Sequence, residues 1–246
     1  MAWNKAGLDP VLVPLAVGIM MVYNLYLQHK CKRNPLQTVI GVNNLGKRAW
    51  VHAMMKDNDK KNILAVQTLR NSIMASTLMA STAILLSTGL AAFISSTYSI
   101  KAPIQRSLYG ANADVMLPLK FVTILVCILF SFICYMQSIR FVNHVNYLIN
   151  IPVHENTFIT PDYVADILIR GSTFYCIGTR GFYTAFPLVL WIFGPIPVIL
   201  SSLVLVPFLY NLDFVKESIS SAKSVEVGSD KGCFWKSSIQ QDKLEV

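Results

Sequence analysis

Long uncharged runs separated by short charged stretches set the pattern of this chain. Residues 71–95, NSIMASTLMASTAILLSTGLAAFIS, carry no charge and outlast the roughly 20 apolar residues that a helix needs to cross a hydrocarbon core of about 30 Å. The run is rich in Ser, Thr and Ala, residues that allow close helix packing and interhelical hydrogen bonds. It is therefore expected to face protein or water over part of its surface. Similar runs place spans at about 11–27, 73–95, 115–140, 172–193 and 195–212. The pattern from Asn62 through Arg70 into the second run is helical without interruption, so one long helix is expected there.

The last apolar region, residues 182–210, is 29 residues without a charge. As one helix it would measure about 43 Å, too long for an untilted crossing. Gly194-Pro195-Ile196-Pro197 in its middle pairs a helix-ending glycine with a helix-starting proline. The reading adopted is a tight hairpin and five crossings, in an all-α membrane protein. A single kinked crossing, giving four, is the alternative. One multi-pass domain then covers residues 1–213, and residues 214–246 read as a polar, disordered cytosolic tail.

Composition agrees: 54% of residues are hydrophobic and only 14% charged, against about 25% in soluble domains. Nine of the 21 basic residues fall between Lys30 and Arg70, where the only acids are Asp57 and Asp59. The positive-inside rule places this stretch in the cytosol and explains the net charge of +8 better than nucleic-acid binding does. Within it, residues 35–44 look irregular. Residues 45–56 read as a helix lying at the interface, or packed on the protein. The segment 96–114, with only Lys101 and Arg106 as basic residues, reads as a loop on the opposite side. The first apolar run lacks a basic leader and a small-residue cleavage site, so it is expected to stay as an anchor, starting near Asp9-Pro10.

The strings Arg48-Ala49-Trp50-Val51, Gln67-Thr68-Leu69-Arg70-Asn71-Ser72 and Trp191-Ile192-Phe193-Gly194-Pro195, with the opening Leu8-Asp9-Pro10-Val11-Leu12-Val13-Pro14, are the most distinctive in the chain. Together they resemble plant-type members of the membrane family catalogued as domain of unknown function 599. The resemblance covers about residues 8–213 and implies a multi-pass membrane protein of a plant. It implies no activity and no site residues.

Catalytic chemistry finds little support. The histidines, His29, His52, His144 and His154, fall at no ligand spacing, no C-x-x-C occurs, and His154-Glu155 lacks the second histidine of a metalloprotease helix. Asp57-Asn58-Asp59 opens like a calcium loop but runs into Lys60-Lys61, with no glutamate at the twelfth place. No enzyme, cofactor or metal site is expected. Cys31 and Cys233, each beside lysines, are candidates for lipidation.

Polar residues within the spans remain. Arg70, Thr77, Ser81 and Thr88 share one helical stripe, and Ser72, Ser76 and Ser87 a second. Lys120, Thr123, Cys127, Ser131, Cys134 and Ser138 share a face of the third span. Either stripe can be packing glue or the wall of a wet pathway. Close packing between subunits is expected through Ser76, Ala80 and Ala83. Lys120, with Asp114 as partner, either snorkels to the surface or shapes an entrance. Arg180 lies shallow in the inner leaflet or faces an internal acid. Asp166 and Arg170 form an i,i+4 pair on an amphipathic helix whose apolar side is Val164, Ile167 and Leu168.

The absence of an internal repeat argues against a secondary transporter. The expected function is a homo-oligomeric ion channel with a pore lined by Thr77, Ser81, Thr88 and Ser131. Cations are preferred because Asp9 and Asp114 flank the outer mouth, and anions are the alternative if Arg70 and Lys120 face the axis. A membrane scaffold, holding anionic lipid or cytosolic partners through the basic segment and tail, is the reading from another class. The first apolar run of about 17 residues suits the thinner endoplasmic reticulum bilayer.

Overall fold

The computed structural model describes residues 5–56, 58–105, 113–151 and 159–215. Among them stand six α-helices: α1 (Lys5–Arg33), α2 (Val39–Lys56), α3 (Asn58–Gln105), α4 (Ala113–Leu148), α5 (Pro161–Leu190) and α6 (Pro195–Asp213). No sheet forms among the described residues. A single bridge joins Thr38 to Phe214, so the connector after α1 meets the end of α6. There the Val215 N–H donates to the Gln37 carbonyl at 3.2 Å.

Four helical stretches are long and apolar enough to cross a membrane: Leu12–Arg33, Lys61–Ser96, Pro118–Leu148 and Ile196–Asp213. α5 is 30 residues long but carries Asp162, Asp166, Arg170 and Arg180. It runs beside α4, with Gly171 over Phe141 and Val142, Gly178 against the Tyr135 ring, and Gly181 against Ser131. The absence of side chains at these glycines lets the two helices approach closely. The α5–α6 break falls where glycine and proline placed it. Gly194 adopts φ +145°, a backbone region closed to most residues, and Pro195 opens α6.

Two larger cores and a smaller one, formed by Met20, Tyr23 and Leu209, hold the described helices together. Of the larger two, one is a collar of α2, α3, α4 and α5 that buries Val51, Leu69, Val145, Ile149, Val164 and Leu168. The other, towards the opposite end, gathers Ala16, Ala83, Ile124, Leu188, Trp191 and Val198. α2 is thus packed on the protein: Val51 and Met55 are buried, and Trp50 and Met54 pack beside them. Arg48 holds it to α5 through Asp162 at 2.8 Å and through Asp166. Asp166 therefore reaches across to α2, where sequence spacing paired it with Arg170. Thr160 caps α5, its hydroxyl accepting from the Tyr163 N–H at 3.3 Å, with Pro161 at the first helical position.

Several boundaries differ from expectation. α1 begins at Lys5, so Asp9 lies inside the helix rather than at its start. Residues 35–44 are largely helical: a short 3-10 turn (Pro35–Gln37) precedes Thr38, whose hydroxyl accepts from the Gly41 N–H at 3.2 Å and caps α2. α3 continues to Gln105, through much of the stretch read as a loop. α4 continues past Arg140 to Leu148 because Val142, Val145 and Leu148 carry its apolar side into the collar. The tail assigned to residues 214–246 lies outside the described residues from 216 onward.

Candidate functional site

α3 buries a stripe of small residues against α4. Ser76 is 3% exposed, Ala80 4%, Ala83 0% and Ser87 6%. This corrects the expectation that Ser76, Ala80 and Ala83 meet another subunit: they close a contact within the chain. Their size is what lets the helices approach, and the Ser76 hydroxyl is satisfied by the Ser72 carbonyl at 3.0 Å.

Thr77, Ser81 and Thr88 are exposed, and Arg70 lies on the same line at the end nearer the collar. At 100° per residue this line sits about 100° around α3 from the buried stripe. The helix thus carries hydroxyls on two sides, one spent on packing and one facing outward, interspersed with exposed Met74, Leu78 and Leu85.

The α4 stripe resolves as packing. Ser131 is fully buried and donates to the Cys127 carbonyl at 3.1 Å, and a methyl group at Gly181 would strike its hydroxyl. Ser138 and Cys134 are likewise buried, at 1% and 4% exposure. Ser131 therefore does not join Thr77, Ser81 and Thr88 on an open face, because α5 covers it.

Lys120 reaches the turn after α5. Its amine donates to the Trp191 carbonyl at 3.2 Å and lies 5.1 Å from the centre of the indole ring, a cation–π arrangement. A charge one turn or so inside a span is thus held by a carbonyl and a ring face. Asp9 and Asp114 belong to α1 and α4, their side chains outside the described residues. Cys31 is half-buried and free at the end of α1. Cys233 lies outside the described residues.

The densest polar constellation joins α1, α5 and α6. Arg180 donates from Nη2 to Asp213 Oδ1 at 2.6 Å and from Nη1 to Asn24 Oδ1 at 2.9 Å. The Tyr23 hydroxyl donates to Asp213 Oδ2 at 2.6 Å. Both oxygens of the carboxylate are thereby engaged, with the two charged side chains 17% and 12% exposed. Asp213 is the internal acid that faces Arg180, and it was not identifiable from sequence. The available signal was that the apolar first run includes Tyr23-Asn24 and that the last run ends on an acid.

One further polar contact lies nearby. The Lys47 amine of α2 donates to the Ser172 hydroxyl of α5, and burial pulls its pKa below the ordinary lysine value. On the collar's outer surface, His52 Nε2 lies 3.2 Å from Asp162, and this contact with the Arg48 guanidinium holds the Asp162 carboxyl below its usual range. Among the described residues, no three His, Cys, Asp or Glu side chains converge to hold a metal.

Four apolar helices, a basic collar and, among the described residues, ion pairs at helix junctions define a multi-pass helical membrane protein. The chain belongs to the DUF599 family, proteins of unknown function, whose family model matches residues 11–218. No curated protein and no solved structure matches it.

Proposed function

We propose that the chain assembles into a homo-oligomeric ion channel whose pathway runs between subunits along α3. The observation that carries this reading is the outward placement of Thr77, Ser81 and Thr88. Hydroxyls gain nothing against lipid tails, whereas in an assembly they can pack against a neighbour or solvate a passing ion. The chain's own polar interior is consumed by helix packing at Ser131 and Ser138 and by the Arg180–Asp213 pair, which leaves the α3 flank to face a pathway.

Cations are the preferred permeant species. Asp9 and Asp114, near the outer ends of α1 and α4, would gather them at the mouth, and Arg70 and Lys120 would select anions if they faced the axis. In this reading the protein is no enzyme, uses no cofactor and binds no nucleic acid. Its home is an endomembrane of a plant cell, the endoplasmic reticulum above all. Purified protein in planar bilayers tests the proposal. Conductance that a thiol reagent blocks after Ser81→Cys supports it, and a silent bilayer favours the scaffold reading.

A further inference from the structure

The junction of α1, α2 and α5 carries a cation with no acid of its own. Lys47 is half-buried and donates to Ser172, yet among the described residues no carboxylate stands within ion-pair distance of it. Asp213, further along the same seam, has its two oxygens taken by Arg180 and Tyr23, and Asp166 of α5 is engaged by Arg48. On α5, Ser172, Cys176 and Arg180 recur at intervals of four and so share one side. The Cys176 thiol lies within electrostatic reach of Lys47, Arg180 and Asp213. The seam thus holds two cations against one carboxylate.

Its depth is also defined. Ser172 lies 18 residues before Leu190, the last residue of α5, and Asp213 lies 18 residues after Pro195, the first of α6. Each interval is about 27 Å of helix, close to the thickness of a hydrocarbon core. With the α5–α6 turn at one boundary, Ser172 and Lys47 therefore stand at the other, level with the headgroups. The basic segment from Lys30 to Arg70 marks that side as cytosolic, and there the leaflet presents anionic headgroups.

We infer that Lys47 and Ser172 form a binding site for the phosphate of an anionic lipid headgroup, entered from the inner leaflet between α1, α2 and α5. A half-buried ammonium beside a hydroxyl supplies donors for a phosphate monoester, and an uncompensated cation there gains most from an incoming anion. Arg180, already satisfied by Asp213 and Asn24, keeps the deeper end of the seam closed. The inference is independent of the channel reading: it rests on α2 and α5, and its test requires no conductance.

The test uses the full chain in detergent, titrated with short-chain phosphatidic acid, with phosphatidylcholine and with inorganic phosphate. Bound lipid is read by native mass spectrometry and by the shift in melting temperature. Wild-type protein should retain phosphatidic acid over phosphatidylcholine. Lys47→Gln should weaken this about tenfold or more, the weight of a hydrogen bond to a charged group. Lys47→Arg should keep most of the binding. Ser172→Ala should weaken it severalfold, and this variant carries the test if Lys47→Gln does not fold. Lys56→Gln, about 14 Å further along α2, should leave it unchanged. Competition by inorganic phosphate at similar concentration would assign the same donors to a soluble phosphate compound. Equal retention of phosphatidylcholine, or phosphatidic acid binding unchanged in both Lys47→Gln and Ser172→Ala, overturns the inference.

Discussion

Arg180 and Asp213, 33 residues apart in the chain, meet at 2.6 Å across the α5–α6 hairpin. Their contact decides how an arginine can sit inside an apolar bundle. The carboxylate cancels its charge, Asn24 takes a second guanidinium N–H, and Tyr23 occupies the remaining carboxylate oxygen. Three helices are thereby tied at one point.

Removing one member of this set strands the other charge. Asp213→Asn or Arg180→Met should each destabilise the folded protein by about 3–5 kcal/mol, and the double variant by much less than their sum. Chemical denaturation in detergent measures all three. Additive losses would show that the pair is not coupled.

Acid should loosen the collar. The Asp162 carboxyl is held below its ordinary pKa of 3.8 by His52 and Arg48. Its contribution to stability is therefore present above that value and disappears as pH falls through the lower, folded-state value. Wild type and Asp162→Asn should differ in melting temperature at pH 6 and converge once the pH has fallen through the lowered folded-state pKa. A difference that persists there would assign the effect to packing.

Lys47 predicts a trend of the same sign at high pH. Its folded pKa lies below the ordinary 10.5, so the folded state releases the proton more readily than the unfolded chain. In lipid-free detergent, stability should rise with pH from the depressed value up to about 10.5, then level off. Lys47→Gln should flatten that rise. An unchanged slope would place the titrating group elsewhere.

The two hydroxyl sets on α3 and α4 should react differently as cysteines. Ser81→Cys, on the exposed flank, should be modified readily by a thiol reagent in detergent, whereas Ser131→Cys, covered by α5, should resist until the protein unfolds. Mass spectrometry after timed labelling reads both. Equal labelling would contradict the α4–α5 contact.

Close approach at glycine gives a packing test. Gly178→Leu, placed against the Tyr135 ring and the Ser131 carbonyl, should destabilise by about 1–3 kcal/mol. Gly89→Ala, where an added methyl meets open space, should stabilise α3 by about 0.5–1 kcal/mol. Thermal melts of the two variants should shift in opposite directions.

Apolar runs made four of the five expected spans legible, and the Gly194-Pro195 pair marked the last break, because lipid demands length and backbone self-satisfaction of any crossing segment. The span expected at 172–193 falls largely in α5, which is not among the stretches apolar enough to cross. Helix ends were less legible. An apolar run stops at the first charge, but a helix stops where its backbone does. Thus α4 continues past Arg140 to feed Val145 and Leu148 into the collar. The start of α2 was hidden behind Val39, Ile40 and Gly41, which are weak helix formers held by the Thr38 cap. For polar residues, spacing identified the stripes without saying which one another helix covers. Ser131 and Thr77 look alike until α5 is placed. The partner of Arg180 lay in another helix, and no local pattern pointed to it.

α3 runs from Asn58 to Gln105 without interruption, about 72 Å of helix, and holds no proline before Pro103. Its first turns are gripped by the collar through Leu69 and its upper half carries Thr88. Such an element behaves mechanically as a rod. A twist or tilt applied at the collar, where α2 is clipped to α5 by Arg48, arrives at Thr88 with no glycine or proline between to absorb it. The collar and the far half of the membrane-crossing stretch are therefore joined by a torsional linkage inside one chain.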